Sequence, residues 1–595
     1  MDKNYKSLNN KLLVFASIIN IFTHLQQNKI ALFMKSTCVL VFLLIFTHNF
    51  AQNGNMEKYF GNPLEIPIVL SGTFAELRTN HFHGGLDIKT EQREGLPVLA
   101  AAEGYISRIS VSPYGYGKAL YIQHPNGYTT VYGHLSKFAP DIDAFIKELQ
   151  YEEETYSIDI NPKENELQVE KGDVIALSGN TGGSGGPHLH FEIRDSAERP
   201  MNPLMFGYEV PDSKKPKVNA LFVYPIGEEA HVNNSGKRQK LPLVLQKDGT
   251  YLTPSIEACG EIGFGVSTVD QLDMAPNNNG VYRIESSLNG DEIFQANFEI
   301  FSFEESRRLN QLIDYEYYKE HWDKIQKLFV EPSNHLSIYS NVINRGYVNV
   351  QDSLSYNYKI KITDYAGNDR VIIIPIEGRI SEKTVIKEKE STAYFVEAGE
   401  STLFEENGID VYIPQNSLYE DTYLDLNFEN EKVKVHEDVI PLHSHITIGF
   451  DVSNYTPEDR EQMFIAKLNS SGRPYYSPTQ KDGDRFFTEV RNFGTFTLGR
   501  DVKAPRVVPV NFKNGQWISG NKDLKVKIWD DLSGIQSYKA TVNGKFILME
   551  YEYKDSMLTH HFSDGVITET ENHLEIAVTD NVGNTTIFES TFYRK

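Results

Sequence analysis

A turn of the form Thr-Asp-x-x-Gly-Asn occurs twice in this 595-residue chain and restricts its fold more than any other feature. The first copy ends a stretch that opens at Asp212, and the second ends a stretch that opens at Asp501. Each opening Asp is followed four residues later by a proline. A repeated opening with a repeated closing turn indicates two copies of one β-sandwich module.

The two copies differ in length. From opening Asp to closing Asp, the first spans 152 residues and the second 79. We assign the excess to an insertion near residues 304–329, whose sequence is typical of a helix with Ser302 as its N-cap. Alternating runs between the copies predict a third β module. We therefore expect Ig-like β-sandwiches at 214–380 and 501–595, with a β-rich module at 390–500 between them.

Residues 64–205 form a separate block that is dense in glycine. Alternating apolar residues flank Tyr-Gly-Tyr-Gly at 114–117 and Pro-Asn-Gly at 125–127, which is the pattern of antiparallel hairpins. The predicted fold class of the whole chain is mainly β: an antiparallel domain at 64–205, followed by several β-sandwich modules.

Residues 1–51 have the pattern of a targeting segment. A basic start at Met34 precedes the apolar run Cys38 to Phe46, and a small residue precedes Gln52, as in a secretory signal peptide. Nine apolar residues are too few to span a bilayer. We favour translation from Met34; the alternative is one long signal or anchor that also uses residues 12–22. We expect an exported protein, in the periplasm, cell envelope or medium, with no transmembrane span in the mature chain.

Composition excludes several classes of function. With 81 acidic and 58 basic residues, the formal charge is -23, which argues against a nucleic-acid partner. The two cysteines exclude a disulfide scaffold and a Cys-rich zinc site.

Two short motifs place metal-ligand side chains at close spacing. His83 and Asp87 are four residues apart, about 13 Å on a straight strand, so they share one ion only if the intervening glycines turn the chain. The alternative is a surface turn. His188 and His190 are two residues apart and, on a strand, point to one face about 7 Å apart. The alternative for this pair is surface or core histidines.

A third motif adds His134 at the expected end of a strand, where a lone histidine is more often structural. Considered together, the three motifs supply one carboxylate and several imidazoles. One carboxylate and two imidazoles are a common ligand set for a catalytic zinc with an open coordination position.

The block at 64–205 resembles the lysostaphin-like, or LytM-type, zinc metallopeptidases. The resemblance lies in the following residues and motifs: Arg78, HGGLD at 83–87, Gly95 to Val98 with Ala101 and Gly104, Gly115 and Gly117, His124 with Gly127, YGHL at 132–135, Gly172 to Gly179, and GPHLHFEI at 186–193.

The resemblance implies a barrel-like antiparallel domain of the duplicated hybrid motif that binds one zinc ion per chain. It makes His83, Asp87 and His190 the zinc ligands and His134 and His188 the catalytic histidines. One of the two would act as general base, and the other would contact the oxyanion or the leaving amine. We expect a zinc endopeptidase that cleaves peptide cross-links of peptidoglycan; the bond could be D-alanyl-diaminopimelate, Gly-Gly or another.

The chain departs from the family pattern in the segment 139–168, which is longer and acidic. It is either a wall or lid of the substrate groove or a solvated loop with a short helix. The alternative functions are a catalytically silent wall-binding regulator of other hydrolases and a peptidase of soluble proteins. The β modules could anchor, position or dock a protein partner.

Histidines outside these motifs receive no catalytic role. We expect His124 to be structural and assign no role to His81. Two further pairs, at 443 and 445 and at 560 and 561, are expected to be structural or at the surface.

Overall fold

The computed structural model describes residues 59–381 and 391–595. The signal segment predicted at 1–51 lies outside these ranges. Within them, no helix combines the length and apolar character needed to cross a membrane. The chain is mainly β, as the sequence predicts, and the barrel-like closure and the module boundaries remain predictions.

The first region contains twelve strands and one helix. Their bounds are β1 (Leu70–Gly72), β2 (Leu86–Lys89), β3 (Pro97–Leu99), β4 (Gly104–Val111), β5 (Lys118–Gln123), β6 (Thr129–Leu135), β7 (Lys137–Phe138), α1 (Pro140–Glu152), β8 (Ile158–Ile160), β9 (Gln168–Val169), β10 (Val174–Leu177), β11 (His188–Arg194) and β12 (Pro200–Met201).

The main sheet of this region has the order β1-β2-β11-β6-β5-β4-β8, and β3, β10 and β7 form a second sheet. The predicted hairpins are present, since β5 pairs antiparallel with β4 and with β6 around the two glycine turns. Every residue of β6 and all but the first of β11 are buried. Strands β2, β11 and β6 are neighbours, and this adjacency positions the site described below.

A first β module follows. Its elements are β13 (Lys217–Pro225), β14 (His231–Val232), β15 (Gln239–Leu241), β16 (Val244–Leu245), β17 (Tyr251–Leu252), β18 (Ile256–Val269), β19 (Arg283–Leu288), β20 (Asp291–Asn297), α2 (Leu309–Leu312), α3 (Tyr315–His321), β21 (Gln326–Lys327), β22 (Tyr339–Val342), β23 (Val348–Val350), β24 (Ser355–Thr363) and β25 (Asp369–Gly378).

The helical insertion of this module is shorter than predicted. A 3-10 turn begins at Ser306, the backbone is extended at Ile313, and residues 326–327 form a strand that pairs with β18. The Ser302 hydroxyl accepts from Glu305 N at 3.2 Å, and the Glu305 carboxylate accepts from Ser302 N at 2.7 Å. This reciprocal pair is a capping box, so Ser302 caps the turn that leads into the insertion, as predicted. Tertiary pairing with β18 therefore overrides the helical pattern at the end of the insertion.

A middle and a last β module complete the chain. The middle module contains β26 (Tyr394–Val396), β27 (Thr402–Glu406), β28 (Ile409–Ile413), β29 (Thr422–Leu424), β30 (Leu426–Glu429), β31 (Lys432–Val435), β32 (Ile446–Asp451), α4 (Pro457–Glu461), β33 (Met463–Leu468), β34 (Pro474–Tyr476), β35 (Gln480–Asp482), β36 (Arg485–Val490) and β37 (Gly494–Arg500). The last module contains β38 (Arg506–Pro509), β39 (Gln516–Trp517), β40 (Asp523–Trp529), β41 (Ile535–Val542), β42 (Lys545–Phe546), β43 (Glu550–Glu552), β44 (Met557–His561), β45 (Glu571–Asp580) and β46 (Thr585–Tyr593).

The repeated turn has the same hydrogen bonds in the first and last modules. Asn368 N donates to the Asp364 carboxylate at 2.8 Å, and Asn584 N donates to the Asp580 carboxylate at 2.9 Å. Each Asn side chain also donates to the carbonyl oxygen of the Asp that opens its module. The turn therefore connects the last two strands of each module and ties them to its beginning.

Candidate functional site

Three buried side chains bring their ligand-type atoms to one point. His83 Nε2 lies 3.0 Å from Asp87 Oδ1 and 3.1 Å from His190 Nδ1. His190 Nδ1 lies 2.9 Å from Asp87 Oδ1. Strand pairing explains one side of this triangle, because His190 on β11 is directly opposite Asp87 on β2.

A glycine turn brings His83 to the same point. A Cβ atom at Gly85 would lie 2.2 Å from the carbonyl oxygen of Phe191. Only glycine therefore lets the chain pass so close to β11 and return His83 to Asp87. The chain therefore makes the turn that His83 and Asp87 need in order to share one ion.

The triangle fits a zinc ion. At metal–ligand distances of about 2.0–2.2 Å, adjacent ligand atoms of a tetrahedral site are about 3.3–3.6 Å apart, so these atoms need to spread by only a few tenths of an ångström. The tautomers fit as well. His83 Nδ1 donates to the Thr73 carbonyl oxygen at 2.7 Å, so its Nε2 lone pair faces the centre. His190 Nε2 donates to Glu192 Oε1 at 2.7 Å, so the lone pair of His190 Nδ1 also faces the centre.

Glu192 orients the His190 ring. Arg194 Nε donates to this carboxylate at 2.7 Å, and the Tyr116 hydroxyl also donates to it. Burial alone would raise the pKa of Glu192, but Arg194, His190 and Tyr116 hold it at about 2. Burial likewise opposes charge on His190, yet Asp87 and Glu192 raise its pKa to about 9. Metal binding would replace this proton, since a histidine ligand must be deprotonated.

Arg78 orients Asp87. Its guanidinium pairs with Asp87 Oδ2, which leaves Oδ1 at the centre of the imidazole cluster. Burial would raise the pKa of Asp87, but in the metal-free site its interactions with His83, His188 and His190 hold it well below its usual range. The carboxylate is therefore ionised, as a metal ligand must be.

The two other histidines lie beside this cluster. His188 Nδ1 donates to the Gly186 carbonyl oxygen at 2.8 Å, and its Nε2 lies 3.4 Å from Asp87 Oδ1. His134 Nδ1 donates to the Thr181 carbonyl oxygen at 2.8 Å, and its ring centre lies 4.7 Å from that of His188. Each ring is thus fixed in the tautomer that leaves Nε2 as a proton acceptor.

His134 occupies an unusual backbone conformation. Its φ is +60°, in the left-handed region, and the pairing of β5 with β6 shifts register between Lys118 and Leu120. A bulge of this kind aims a side chain away from the regular alternation of the strand. Burial, together with the His190 and His188 imidazoles, lowers the pKa of His134 to about 3.

The insertion of the first β module packs on the segment that precedes His83. Ser306 Oγ accepts from Phe82 N at 2.8 Å, and the Asn310 side chain donates to Asn80 Oδ1 at 3.0 Å. Phe82 also packs in the core of that module. The insertion therefore supports the turn that carries a candidate ligand, a role that the sequence analysis does not predict.

The last β module contacts the other side of the site region. Lys554 Nζ donates to the carbonyl oxygens of Asn180 and Ser184, in the glycine-rich loop before His188. Lys147 Nζ, on α1, pairs with Asp564 at 2.7 Å. The acidic segment 139–168 thus includes a docking surface for the last module, which neither sequence interpretation anticipated.

Two histidines outside the site, His124 and His560, have structural surroundings. His124 Nδ1 lies 2.8 Å from the Glu103 carbonyl oxygen and its Nε2 lies 2.8 Å from Thr130 Oγ1. His560 is buried with its Nδ1 2.8 Å from the Leu548 carbonyl oxygen. Sequence analysis missed Glu192 and Thr73; a signal existed only for Glu192, which follows His190 by two residues and so shares its strand face.

Two regions match known protein families. Residues 81–151 and 156–203 match peptidase family M23, and residues 393–501 match the Zu5-like domain. The second match covers the middle β module.

Curated relatives match about a quarter of the chain. The DD-carboxypeptidase/endopeptidase Mpg of Neisseria meningitidis serogroup B is 35% identical over 136 residues, which are 23% of this chain and 25% of that protein. The peptidoglycan DD-endopeptidase ShyA of Vibrio cholerae is 33% identical over 129 residues, 22% of this chain and 24% of that protein. The chain thus spans about a quarter of the length of these relatives.

Among solved structures, the catalytic domain of lysostaphin from Staphylococcus simulans is 23% identical, with a TM-score of 0.18. The match covers 24% of this chain and 93% of that domain.

Proposed function

We propose, from the premise that residues 81–203 form a domain of peptidase family M23, that this chain is an exported zinc endopeptidase that cleaves peptide cross-links of peptidoglycan. The observation that carries the proposal is the buried triangle of His83, Asp87 and His190, whose ligand atoms lie 2.9–3.1 Å apart. The names of Mpg and ShyA, a peptidase and a peptidoglycan endopeptidase, support the substrate class.

His83 Nε2, Asp87 Oδ1 and His190 Nδ1 would hold the zinc. When bound, zinc polarises a peptide carbonyl and lowers the pKa of water towards neutrality. Around it, the protein supplies bases at fixed positions. His188 Nε2 is the proposed general base, because its Nδ1 proton is committed to the Gly186 carbonyl and its Nε2 faces Asp87.

His134 is the proposed second catalytic residue. Its Nε2 is a proton acceptor in the resting site, since Nδ1 donates to Thr181. Once it has received a proton, this nitrogen can donate to the oxyanion or to the leaving amine. The bulged backbone fixes the ring beside His188 before substrate binds, which reduces the reorganisation needed during reaction.

The test uses the chain from Gln52 onward and two measurements: zinc content per chain, and muropeptides released from purified peptidoglycan, identified by mass. We expect one zinc per chain and new ends within cross-link peptides. Zinc without any released product would contradict the enzyme proposal and favour a wall-binding regulator. Digestion of soluble protein, with peptidoglycan left intact, would contradict the substrate class.

Two variants separate the roles within the site. Asp87→Ala should lose zinc and activity together, because it removes a ligand; full zinc retention would overturn that assignment. His188→Ala should keep its zinc and lose activity by about 10²–10⁴-fold. His81→Ala, which changes an exposed histidine two residues before His83, serves as the control and should retain both.

A further inference from the structure

A cluster of three aspartates lies outside the peptidase region, where the two ends of the first β module meet. Asp212, Asp270 and Asp364 place carboxylate oxygens within 4.8 Å of one another. Asp270 is 3% exposed and Asp364 is 1% exposed. Asp212 is partly exposed. Three carboxylates this close, two of them buried, repel one another unless a proton or a cation lies among them.

A neighbouring side chain provides an independent indication of a ligand. Asn279 is 2% exposed, and neither its Oδ1 nor its Nδ2 has a hydrogen-bond partner among the described residues. The backbones of Asn279 and Asp270 exchange two hydrogen bonds, of 2.8 and 2.9 Å, as a pair of directly opposed residues. Opposed residues of an antiparallel bridge project to the same face, so the Asn279 and Asp270 side chains share one face of the bridge.

One carboxylate oxygen of Asp270 is unsatisfied. Its Oδ1 is buried and accepts no hydrogen bond from any residue in the described ranges. Lys214, a nearby cation, directs its Nζ to the Leu272 carbonyl oxygen at 2.8 Å. Leaving a buried carboxylate oxygen and a buried amide without partners is costly, and such groups in folded proteins normally contact protein, water or an ion.

The last β module holds the equivalent cluster without this deficit. Asp501, Asp530 and Asp580 also lie within 4.8 Å of one another. There, backbone N–H groups donate to all three carboxylates: Ser533 and Lys503 to Asp501, Leu532 and Gly534 to Asp530, and Val582 and Asn584 to Asp580. In the first module, Lys214 N and Asn368 N likewise donate to Asp212 and Asp364. The difference is that Asp270 Oδ1 and Asp212 Oδ2 are buried without a hydrogen-bond partner among the described residues, whereas no oxygen of the last module's cluster is in that state.

We propose that Asp212, Asp270, Asp364 and Asn279 form a calcium-binding site in the first β module. All of their ligand atoms are oxygens, and three are anionic, which suits a hard divalent cation. Calcium accepts irregular arrangements of six to eight oxygens, while magnesium requires a near-ideal octahedron, so an assembly from three separate loops favours calcium. The next residue, Gly280, donates to Thr73 Oγ1 at 3.0 Å, so the site lies beside the segment that orients His83.

The test is calcium binding to the zinc-loaded chain from Gln52 onward, in calcium-free buffer, by titration calorimetry with CaCl₂ and by thermal unfolding. We expect one binding event per chain and a rise in Tm of about 3 °C or more at millimolar calcium. No heat and no change in Tm up to 10-fold higher calcium would overturn the proposal. An equal rise with MgCl₂ would overturn the choice of calcium.

Variants locate the site. Asp270→Asn removes a repelling charge, so it should fold and have an unchanged or higher Tm without calcium, but bind calcium at least 10-fold more weakly. Asn279→Ala should also weaken binding. Asp530→Asn, in the equivalent cluster of the last module, is the matched control and should bind as the parent does. Wild-type affinity in Asp270→Asn, or loss of binding in Asp530→Asn, would place the ion elsewhere.

Discussion

At the scale of single residues, the candidate metal site depends on partners that are not themselves ligands. Glu192 holds the second nitrogen of His190, and Glu192→Gln would replace an anionic acceptor with a neutral amide. We expect zinc affinity to fall by about 10–100-fold, because loss of such an outer partner weakens the ligand. Competition with a chromogenic chelator measures this. Glu198→Gln, which alters a more exposed carboxylate that also pairs with Arg194, should change affinity by less than about 2-fold.

The pKa of Asp270 leads to a second prediction. Burial, followed by the Asp212 and Asp364 charges, raises it from 3.8 to about 7, while Lys214 opposes the rise. Because the folded chain binds this proton more tightly than the unfolded chain, the resulting stability is complete below about pH 4 and is lost as pH rises through 7. In calcium-free buffer, Tm of the parent should therefore fall over this range more steeply than Tm of Asp270→Asn. Parallel curves would contradict the prediction.

The residues of the site differ in how far sequence could predict them. His83, Asp87 and His190 stand in short motifs, and their side chains have the chemistry of ligands, so they could be named before the fold. Thr73, Thr181 and Gly186 act through backbone carbonyl oxygens. Every residue has that group, so no residue type marks the position, and only the folded chain shows which carbonyls face the histidines.

Among the elements, the glycine-rich loop before β11 depends on close packing. Gly182 has φ of +70°, and a Cβ there would lie 2.3 Å from Gly117 N. Gly182→Ala should therefore lower the free energy of unfolding by about 2 kcal/mol or more and reduce activity. Thermal unfolding and peptidoglycan release measure these effects. Gly185→Ala, where no atom lies within 4 Å of the added Cβ, should cost less than about 1 kcal/mol.

Some secondary-structure elements can be predicted from local sequence patterns, and others cannot. Turn residues at 114–117 and 125–127 determine the hairpins of β4, β5 and β6, since the signal and the structure are both local. The insertion near 304–329 is different. Its Leu- and Tyr-rich sequence favours helix throughout, but Gln326 and Lys327 pair with β18, about 60 residues earlier in the chain. A short stretch of sequence contains no information about a pairing partner so far away, so the predicted helix is too long.

For the whole molecule, docking of the last β module on α1 is the feature that sequence could not predict. Lys147 and Asp564 are ordinary charged residues in sequence, and only the fold buries the carboxylate, whose side chain is 2% exposed. We expect Asp564→Ala to weaken this contact, since Lys147 and Tyr151 lose a shared acceptor. Amide exchange in α1, followed by mass spectrometry, should accelerate by about 10-fold. Asp555→Ala, at an exposed position in the same module, should leave α1 unchanged.

The contact from Lys554 to Asn180 joins residues that are 374 positions apart. At synthesis rates of about 5–20 residues per second, the ribosome delivers Lys554 roughly 20–75 s after the loop that it holds. Residues 64–205 are thus synthesised well before Lys554, and during this interval the loop before His188 lacks this hydrogen-bond donor. Because Lys554 is synthesised so late, the loop acquires its final contacts only when the polypeptide is nearly complete.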